Sequence, residues 1–341
     1  MRKLFINLFW TINIIAALAI VAAYIAPFIN PNHWNIVAYF GIGFPVLLYI
    51  NTFFVIFWIF VKRKYMLLSL LLILLGLPTI SRHLQIFPKR TETKKGIKII
   101  SYNVRNFQQL GSKNKNSTIE SIANLISGQT PDIVCFQEFP KTKTPKGIIN
   151  LDMTAYGQGG NIIFTKLKVV NQGNILSEKD NKFGIYADVL FGNDTIRVIN
   201  IQLLSYSISK ELEFYENTDK VNRKRFLFSV ASKLNKGFTR RVHETQKLTK
   251  AISHSPYPII LCGDFNDPPA SFTYQKIIST GLKDAFVESG SGYGNTYYWS
   301  FPKIRIDYIM TSKKFDIYNY NVLHTNLSDH YPIEALLVQK R

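Results

Sequence analysis

The sequence predicts an α+β domain of two packed β-sheets with outer helices, preceded by an all-α membrane segment. Residues 1–88 contain no Asp or Glu and only six basic residues, whereas the other 253 residues hold all 22 acids and carry a net charge of about +13. This second part alternates apolar, β-rich runs with a few helical patterns, which is typical of a domain built from packed layers. The composition excludes a disordered chain and a disulfide-stapled miniprotein.

Three apolar runs in the N-terminal segment predict transmembrane helices at residues 4–29, 36–61 and 65–80. A helix needs about 20 residues to cross the hydrocarbon layer of a bilayer. The first two runs are long enough and uncharged, and the third has 16 residues. A cleaved signal peptide would be followed by polar sequence, whereas the first run leads directly into the second. We therefore expect residues 1–88 to anchor the chain in the lipid bilayer of the cell membrane as a multi-pass segment.

Basic residues at the ends of these runs predict the orientation. Arg2, Lys3 and the cluster at 62–64 should remain on the cytoplasmic side. Three spans then put the C-terminal domain on the non-cytoplasmic side, whereas two spans would leave it in the cytoplasm. Residues 89–96 are predicted to be a short linker, and residues 97–341 to be the globular domain.

Eight apolar runs predict the strands of this domain. They are residues 97–102, 132–136, 160–164, 185–191, 195–203, 258–262, 304–310 and 333–338. Residues 117–127 and 238–252 carry apolar side chains at helical spacing, and a separate helix is expected before Gly237. Cys135 and Cys262 lie in strand-like runs where cysteine is usually a buried free thiol, and a disulfide between them is the alternative.

Four of the short runs end in a carboxylate, an amide or an imidazole. The polar residues are Asn103, Gln137 with Glu138, Asp264 with Asn266, and Asp329 with His330. Strand ends hold side chains on a rigid frame. Asn, Asp and Glu oxygens suit Mg²⁺ or Mn²⁺ rather than zinc. Each run alone is as typical of a turn as of a site, but their occurrence in one chain indicates a metal site.

Five motifs, in this order, resemble those of the endonuclease/exonuclease/phosphatase superfamily. They are residues 99–107, 137–138, 263–266, 305–309 and 328–332. The resemblance covers residues 97–341 and implies a four-layered α/β sandwich that hydrolyses phosphoester bonds with a divalent metal. A non-catalytic binding domain on the same fold is an alternative from another class, which the intact set of polar residues disfavours.

The resemblance also implies the ligands of the metal and of the substrate. Glu138 would be the main Mg²⁺ ligand, with Asn103 and Asp329 close to the metal. Arg105 would reach a substrate phosphate, as a guanidinium is suited to do.

The same resemblance implies the catalytic groups. Asp264 would orient the attacking water, and Asn266 would donate a hydrogen bond to the phosphate. His330 would be a general base or a phosphate ligand, held by Asp307. An in-line attack on an anionic phosphodiester needs these parts, because negative charge must be stabilised and a proton removed.

One motif departs from the superfamily pattern. Residues 200–203 read Asn-Ile-Gln-Leu, where many members have a His in place of Gln202. A glutamine amide can donate a hydrogen bond to a phosphate oxygen but cannot deliver a proton near neutral pH. We therefore expect Gln202 at the catalytic centre, either as a phosphate donor or as a position where the site lacks an acid for the leaving group.

Two further segments bear on the substrate. Residues 220–250 contain ten basic residues and one acid, which indicates either a surface for polyanions or a solvated helix face. Residues 289–301 are aromatic and Gly-rich, as in a loop that stacks on bases or in a packed hairpin. The preferred prediction is a membrane-anchored, Mg²⁺-dependent phosphodiesterase of nucleic acid. The alternative is a hydrolase of phospholipid-type headgroups, which the membrane tether favours.

Overall fold

The protein is described here from a computed structural model. The residues that the structure describes are 1–86, 95–109, 115–140, 148, 153–157, 160–176, 182–206, 223–298 and 302–340. Most of the predicted linker at 89–96 lies outside them. The ends of both candidate substrate segments, at 220–222 and 299–301, also lie outside.

The N-terminal segment is helical, but two of its three predicted spans are interrupted. The helices are α1 (Arg2–Ile25), α2 (Asn35–Ile42), α3 (Phe44–Val61), α4 (Met66–Leu75) and α5 (Leu77–Ile80). The expected single helix at 36–61 breaks at Gly43, before Pro45, and the one at 65–80 breaks at Gly76, before Pro78. A proline in the first turn of a helix lacks the N–H that would continue the preceding helix, which explains both breaks.

Among the described residues, two helices are long and apolar enough to cross a membrane by length and composition, Arg2–Phe28 and Phe44–Val61. By contrast, α4 has 10 residues and is about 15 Å long, roughly half the hydrocarbon thickness. The third predicted span thus contains an unbroken helix of only 10 residues, and its crossing of a membrane stays a prediction.

A buried polar network joins α1, α3 and α4. The amide of Asn13 donates to the hydroxyl of Ser69 (2.7 Å), and the indole of Trp58 donates to Asn13 (2.8 Å). Ser69 donates in turn to Asn51, whose amide reaches the carbonyl of Ala16. Polar side chains buried among apolar helices are stabilised only when they are paired, so this network fixes the packing of the three helices.

The two ends of this helical bundle differ. At one end, Trp10 stacks on Tyr65, which lies beside the basic residues Lys62 and Lys64. At the other end, α1, α2 and α3 pack against the globular domain, where Ala270 joins an apolar cluster with residues of α1 and α3. The basic turn therefore lies at the end of the bundle that points away from the domain.

The globular domain contains two six-stranded mixed sheets. Its strands are β2 (Ile97–Asn103), β3 (Ile133–Phe139), β4 (Thr154–Tyr156), β5 (Gly160–Thr165), β6 (Val169–Leu176), β7 (Lys182–Phe191), β8 (Asp194–Gln202), β9 (Ile259–Asp264), β10 (Lys283–Asp284), β12 (Asp307–Thr311), β13 (Phe315–Val322) and β14 (Ile333–Gln339). Two short strands, β1 (Leu84–Gln85) and β11 (Gly292–Tyr293), pair separately. The strand orders are β13-β14-β2-β3-β5-β4 and β10-β12-β9-β8-β7-β6. Each sheet contains one parallel pair, β2 with β3 and β8 with β9.

Helices cover the outer face of each sheet, which completes four layers. These outer helices are α6 (Lys115–Gln129), α7 (Arg223–Ser253) and α8 (Phe272–Ile278), whereas α9 (Ala285–Ser289) contributes Ala285 and Phe286 to the cluster between the sheets. One apolar cluster fills the space between the sheets, a second lies between α6 and its sheet, and a third lies between the other sheet and α7 and α8. The predicted α+β sandwich is confirmed.

The eight predicted strands are present with shifted ends, but β4, β6, β10 and β13 of the two large sheets were missed, and so were the short strands β1 and β11. Strand β6 is largely exposed, so it lacks the apolar signal that a buried strand carries. The expected division of the basic segment into two helices at Gly237 is wrong, because α7 is one helix of 31 residues. Cys135 and Cys262 are both buried free thiols.

We expect Gly263, at the end of β9, to be intolerant of substitution. It has a φ of +148°, and a Cβ there would lie 2.0 Å from the carbonyl oxygen of Ile201. Gly263→Ala should therefore lower the free energy of unfolding by about 3 kcal/mol, measured by denaturant unfolding of the full chain. Gly128→Ala is the control, because its Cβ would meet nothing within 4 Å. Equal stability of the two variants would contradict the close approach of β8 and β9.

Candidate active site

The predicted polar residues come together where the two sheets end. Asn103 and Glu138 lie at the carboxyl ends of the parallel strands β2 and β3, and Gln202 and Asp264 at those of β8 and β9. Asp307 opens the antiparallel strand β12 opposite Asp264. Parallel neighbours bring their carboxyl ends to the same edge of a sheet. The packing of the two sheets therefore collects side chains from five strands at one rim.

Glu138 and Asp264, which belong to different sheets, are linked by the amide of Asn103. Its Nδ2 donates to Glu138 Oε1 (3.2 Å) and to Asp264 Oδ2 (3.1 Å). Gln202 Nε2 also donates to Glu138 Oε1, at 2.8 Å. The expected phosphate donor Gln202 thus holds the carboxylate of Glu138 in this structure.

The backbone at these positions is unusual. Glu138 has a φ of +50° beside a bulge in β3, where the pairing with β5 shifts between Phe136 and Phe139. Asn266 has a φ of +52°, and residues 105–107 also have positive φ values. Non-glycine residues in this region cost of order 1–3 kcal/mol, and such strain concentrates at functional sites. A bulge re-aims a side chain, and here it accompanies the entry of Glu138 into the site.

Asp264 is held by its own loop. Its Oδ1 accepts a hydrogen bond from the backbone N–H of Asn266 (2.8 Å). The side-chain amide of Asn266 donates to Asp264 Oδ2 (3.1 Å) and to the carbonyl of Leu203 (2.8 Å). Both amide hydrogens of Asn266 are therefore engaged within the protein, and they orient Asp264.

His330 and Asp307 form a buried pair beside Asp264. His330 Nδ1 lies 2.9 Å from Asp307 Oδ2, and His330 Nε2 lies 3.8 Å from Asp264 Oδ2. Burial alone disfavours the charged imidazolium, but the carboxylates of Asp307 and Asp264 outweigh it and raise the pKa of His330 to about 10. Burial raises the pKa of Asp264 to about 7, against the opposing charge of His330. The two carboxylates therefore favour the charged form of His330.

Asp329 lies at the outer side of the site and pairs with Arg105. Arg105 Nε is 3.4 Å from Asp329 Oδ2, and the Arg105 side chain is 39% exposed. Ser328, directly before Asp329, donates to the backbone carbonyl of Asn103 (2.8 Å) and so ties this loop to β2. The exposed guanidinium is accessible to a phosphate from solvent.

Sequence reasoning missed the amide network beneath the site. Gln137 Nε2 donates to Asn200 Oδ1 (2.7 Å), and Asn200 donates to the carbonyls of Phe136 and Ile162 in the other sheet. The predicted motifs include Gln137 and Asn200, but neither residue was assigned a role. A polar residue inside an otherwise apolar strand was the available signal, because a buried amide requires partners.

Two more residues of the site come from the aromatic loop. The ring of Tyr297 packs edge-on against His330, with centroids 5.1 Å apart. Thr296 Oγ1 accepts hydrogen bonds from the backbone N–H groups of Ile306 and Asp307. The loop at 289–301 is therefore, in its described part, a packed wall of the site.

Oxygen atoms dominate the groups that converge here, as a hard divalent cation requires. The amide of Asn103 lies within hydrogen-bonding distance of the carboxylates of both Glu138 and Asp264. A second group, Asp264, Asp307 and His330, has ligand-type atoms within 4.8 Å of one another. In this second group His330 and Asp307 already bind each other. The residues present therefore fit a divalent metal. Of the two carboxylates in the first group, that of Glu138 is more exposed than that of Asp264.

A four-layered sandwich with carboxylates, amides and an Asp–His pair at the shared ends of its sheets defines a metal-dependent phosphoesterase. The model of the endonuclease/exonuclease/phosphatase family matches residues 100–330. The chain belongs to this family, and it is a hydrolase of phosphoester bonds of the metal-dependent type. A second family model, described as a domain of unknown function, matches residues 3–83. No curated protein matches the chain.

Solved structures share the fold of the domain. A functionally unknown conserved protein from Enterococcus faecalis V583 is 18% identical with a TM-score of 0.52, and the match covers 72% of this chain and 100% of that one. A family member from Leptotrichia buccalis is 16% identical with a TM-score of 0.51, over 71% and 99% of the two chains. A mannosyl-6-phosphatase from Bacteroides thetaiotaomicron is 19% identical with a TM-score of 0.50, over 71% and 99%. These likenesses establish the fold.

The His330–Asp307 pair predicts a pH-dependent contribution to stability. The pKa of His330 is about 10 in the folded protein and near its ordinary value of 6.5 when unfolded. The contribution is therefore fully present below pH 6.5 and is lost as the pH rises through about 10. The wild type should have a higher Tm than His330→Gln. This difference should be largest near pH 6.5 and should shrink as the pH approaches 10. His254→Gln, at an exposed histidine, is the control. A difference that stays constant with pH would contradict the pairing.

Proposed function

We propose that this protein is a membrane-anchored, Mg²⁺-dependent phosphodiesterase that hydrolyses phospholipid-type headgroups at the bilayer surface. The observation that carries the proposal is that loops leading away from the site pack against the N-terminal helices. The loop after Asp264 reaches Ala270, which packs with Ile20, Ala23 and Phe44 of α1 and α3. A Cβ on Gly41 would lie 2.4 Å from the carbonyl oxygen of Ala270, so α2 and this loop are in direct contact.

A second contact joins the other wall of the site to the same helices. Tyr293 interacts with Tyr49 of α3, and β11 pairs with β1 directly after the last N-terminal helix. Tyr297, four residues further along, packs against His330. Because both walls meet the helices, a substrate in the bilayer would lie close to the catalytic residues.

The charge distribution of the bundle supports a non-cytoplasmic domain. Lys62 and Lys64 lie at the end of the bundle away from the domain, together with the N-terminal half of α1. Under the positive-inside rule that end is cytoplasmic. The short helix α4 is bound to α1 and α3 by the Asn13, Asn51 and Ser69 network, which supports its crossing the bilayer with them despite its length.

Mg²⁺ is the proposed metal because the groups that converge around the Asn103 amide are the carboxylates of Glu138 and Asp264, whose oxygens are hard donors. We expect Glu138 to be the principal ligand and Asn103 to contribute, with Asp329 at the outer side. When bound, the metal would neutralise negative charge on the substrate phosphate.

The residues around the metal position have separate tasks in this proposal. Asp264, oriented by Asn266 and Asn103, accepts the proton of the attacking water. His330 presents its Nε2–H to a phosphate oxygen, because its Nδ1 is engaged by Asp307. Arg105 reaches the phosphate from the exposed side. A protonated histidine cannot serve as a general base, so geometry and charge favour its role as a phosphate ligand.

Hydrolysis of nucleic acid is the second candidate. It is supported by the net charge of about +13 beyond residue 88 and by the basic helix α7. Such a substrate would not require the contact between the site and the N-terminal helices.

The substrate class can be tested with the full chain reconstituted in vesicles. Sphingomyelin and phosphoinositides in the same bilayer, single-stranded and duplex DNA, RNA, and a sugar phosphate would be compared with Mg²⁺ present. We expect the lipid headgroups to be hydrolysed at least about tenfold faster than the soluble substrates, because anchoring raises their effective concentration at the site. Preference for DNA or RNA would support the second candidate and overturn the first.

The metal ligand can be tested separately. Glu138→Gln should lower kcat/KM at least about 10²-fold while preserving Tm, because it removes an anionic ligand without changing shape. EDTA should have the same effect on the wild type, and added Mg²⁺ should reverse it. Undiminished turnover in EDTA would exclude a metal-dependent reaction.

Gln202→Ala is a matched variant for this test. Gln202 contacts Glu138 at 2.8 Å and would act through that carboxylate. We therefore expect a roughly tenfold higher Mg²⁺ concentration at half-maximal activity, with the maximal rate at saturating Mg²⁺ largely retained. A loss of maximal rate with unchanged Mg²⁺ dependence would instead identify Gln202 as a phosphate donor.

A further inference from the structure

The N-terminal part of α7 carries two large apolar side chains that are exposed. Leu227 is 57% exposed and Phe228 is 76% exposed. Further along the same helix, Phe238, Val242 and Leu248 are buried against the domain. Leu227 and Phe228 therefore form an exposed apolar tip at the N-terminal end of α7. Within about three turns of this tip, the helix packs into the core of the domain.

The exposed tip continues the face that the N-terminal helices cover. The hydroxyl of Tyr39 in α2 donates to the carbonyl of Ala231 (3.1 Å) and lies 2.8 Å from Asn235 Oδ1. Leu227 precedes Ala231 by four residues, so it lies one turn earlier on the same side of the helix. The apolar tip thus projects past α2, beside the end of the bundle that meets the domain.

Exposed apolar and aromatic residues mark this end of the bundle as well. Phe28, Trp34 and Ile36, which flank the turn between α1 and α2, are 69%, 66% and 62% exposed. Aromatic side chains at the end of a membrane helix are typical of the headgroup level of a bilayer. Since α2 contacts α7 directly, the tip of α7 lies near the same level.

The charge of α7 fits an anionic surface. From residue 224 to residue 243 the helix contains six Lys or Arg and no Asp or Glu. Lys224 and Arg225, next to the apolar pair, are exposed. A helix with exposed apolar residues flanked by basic ones is characteristic of segments that lie in the plane of an anionic membrane.

We propose that residues 224–236 of α7 form a second membrane contact, in the headgroup region of an anionic bilayer. Leu227 and Phe228 enter the boundary of the acyl chains, and Lys224 and Arg225 bind lipid phosphates. The inference rests on the membrane anchoring proposed above. It extends that proposal, because two separate contacts fix the tilt of the domain and keep the rim of the site at the bilayer surface.

The test uses single cysteines labelled with an environment-sensitive fluorophore in the full chain. Cys135 and Cys262 are buried and remain unlabelled. Probes at Leu227→Cys and Phe228→Cys are compared with a probe at Lys247→Cys, an exposed position about 30 Å further along the same helix. A probe at Leu18→Cys, exposed on α1, reports the anchoring itself. The protein is reconstituted in vesicles of phosphatidylcholine and phosphatidylglycerol that contain a lipid-bound quencher.

We expect the probes at 18, 227 and 228 to be quenched by the lipid and the probe at 247 to be quenched only by aqueous iodide. Lipid quenching at 18 with iodide quenching at 227 and 228 would overturn the second contact and leave the anchoring intact. Iodide quenching at all four positions would overturn both the anchoring and this inference.

The electrostatic part has its own variant. Lys224→Glu combined with Arg225→Glu should reduce lipid quenching at 228 about fivefold or more in anionic vesicles, because each basic residue near such a surface strengthens binding by about that factor. Quenching at 18 should not change. Equal quenching at 228 with and without the charge reversal would exclude recognition of anionic lipid.

Discussion

The hydrogen bond from Gln137 to Asn200 joins the two sheets directly beneath the active site. Both side chains are buried, and leaving either unpaired would cost about 1–3 kcal/mol. Gln137 Nε2 reaches Asn200 Oδ1 only when β3 and β8 face each other in this position, so the pair helps to fix the sheets relative to each other. Glu138 directly follows Gln137, and Gln202 follows Asn200 by two residues. The same bridge therefore sets the distance at which Gln202 meets Glu138.

The pattern of apolar runs was sufficient to predict the α+β sandwich, and runs that end in polar residues indicated Asn103, Glu138, Asp264, Asn266, Asp329 and His330. Arg105, Gln202 and Asp307 were predicted only from the resemblance to the superfamily. The features that could not be predicted depend on contacts between segments that are far apart in the sequence. Gln202 was expected to face a phosphate, but its partner Glu138 lies 64 residues away. The run of apolar residues before Glu138 contains no residue that would predict the bulge beside it. Pro45 and Pro78 were available signals for the helix breaks, but the prediction of unbroken spans at 36–61 and 65–80 did not use them.

Arg305 illustrates how a motif can serve the fold as well as the site. It lies two residues before Asp307, yet its guanidinium is buried and forms an ion pair with Asp284 (2.6 Å). The same guanidinium donates to the backbone carbonyl of Arg82 (2.8 Å), at the end of the N-terminal segment. Breaking a buried ion pair by removing one partner costs about 3–5 kcal/mol. Arg305 thus connects the strand that holds Asp307 to the helices.

These contacts place the N-terminal helices and the catalytic rim in one packed unit. Ala270 lies six residues after Asp264, Arg305 two before Asp307, and Tyr293 four before Tyr297, and each of the three contacts the N-terminal segment. Packed interiors shift between discrete arrangements and do not deform continuously, since loss of close packing is costly. The loops that carry Asp264, Asp307 and Tyr297 are therefore held in place by the N-terminal helices as well as by the two sheets.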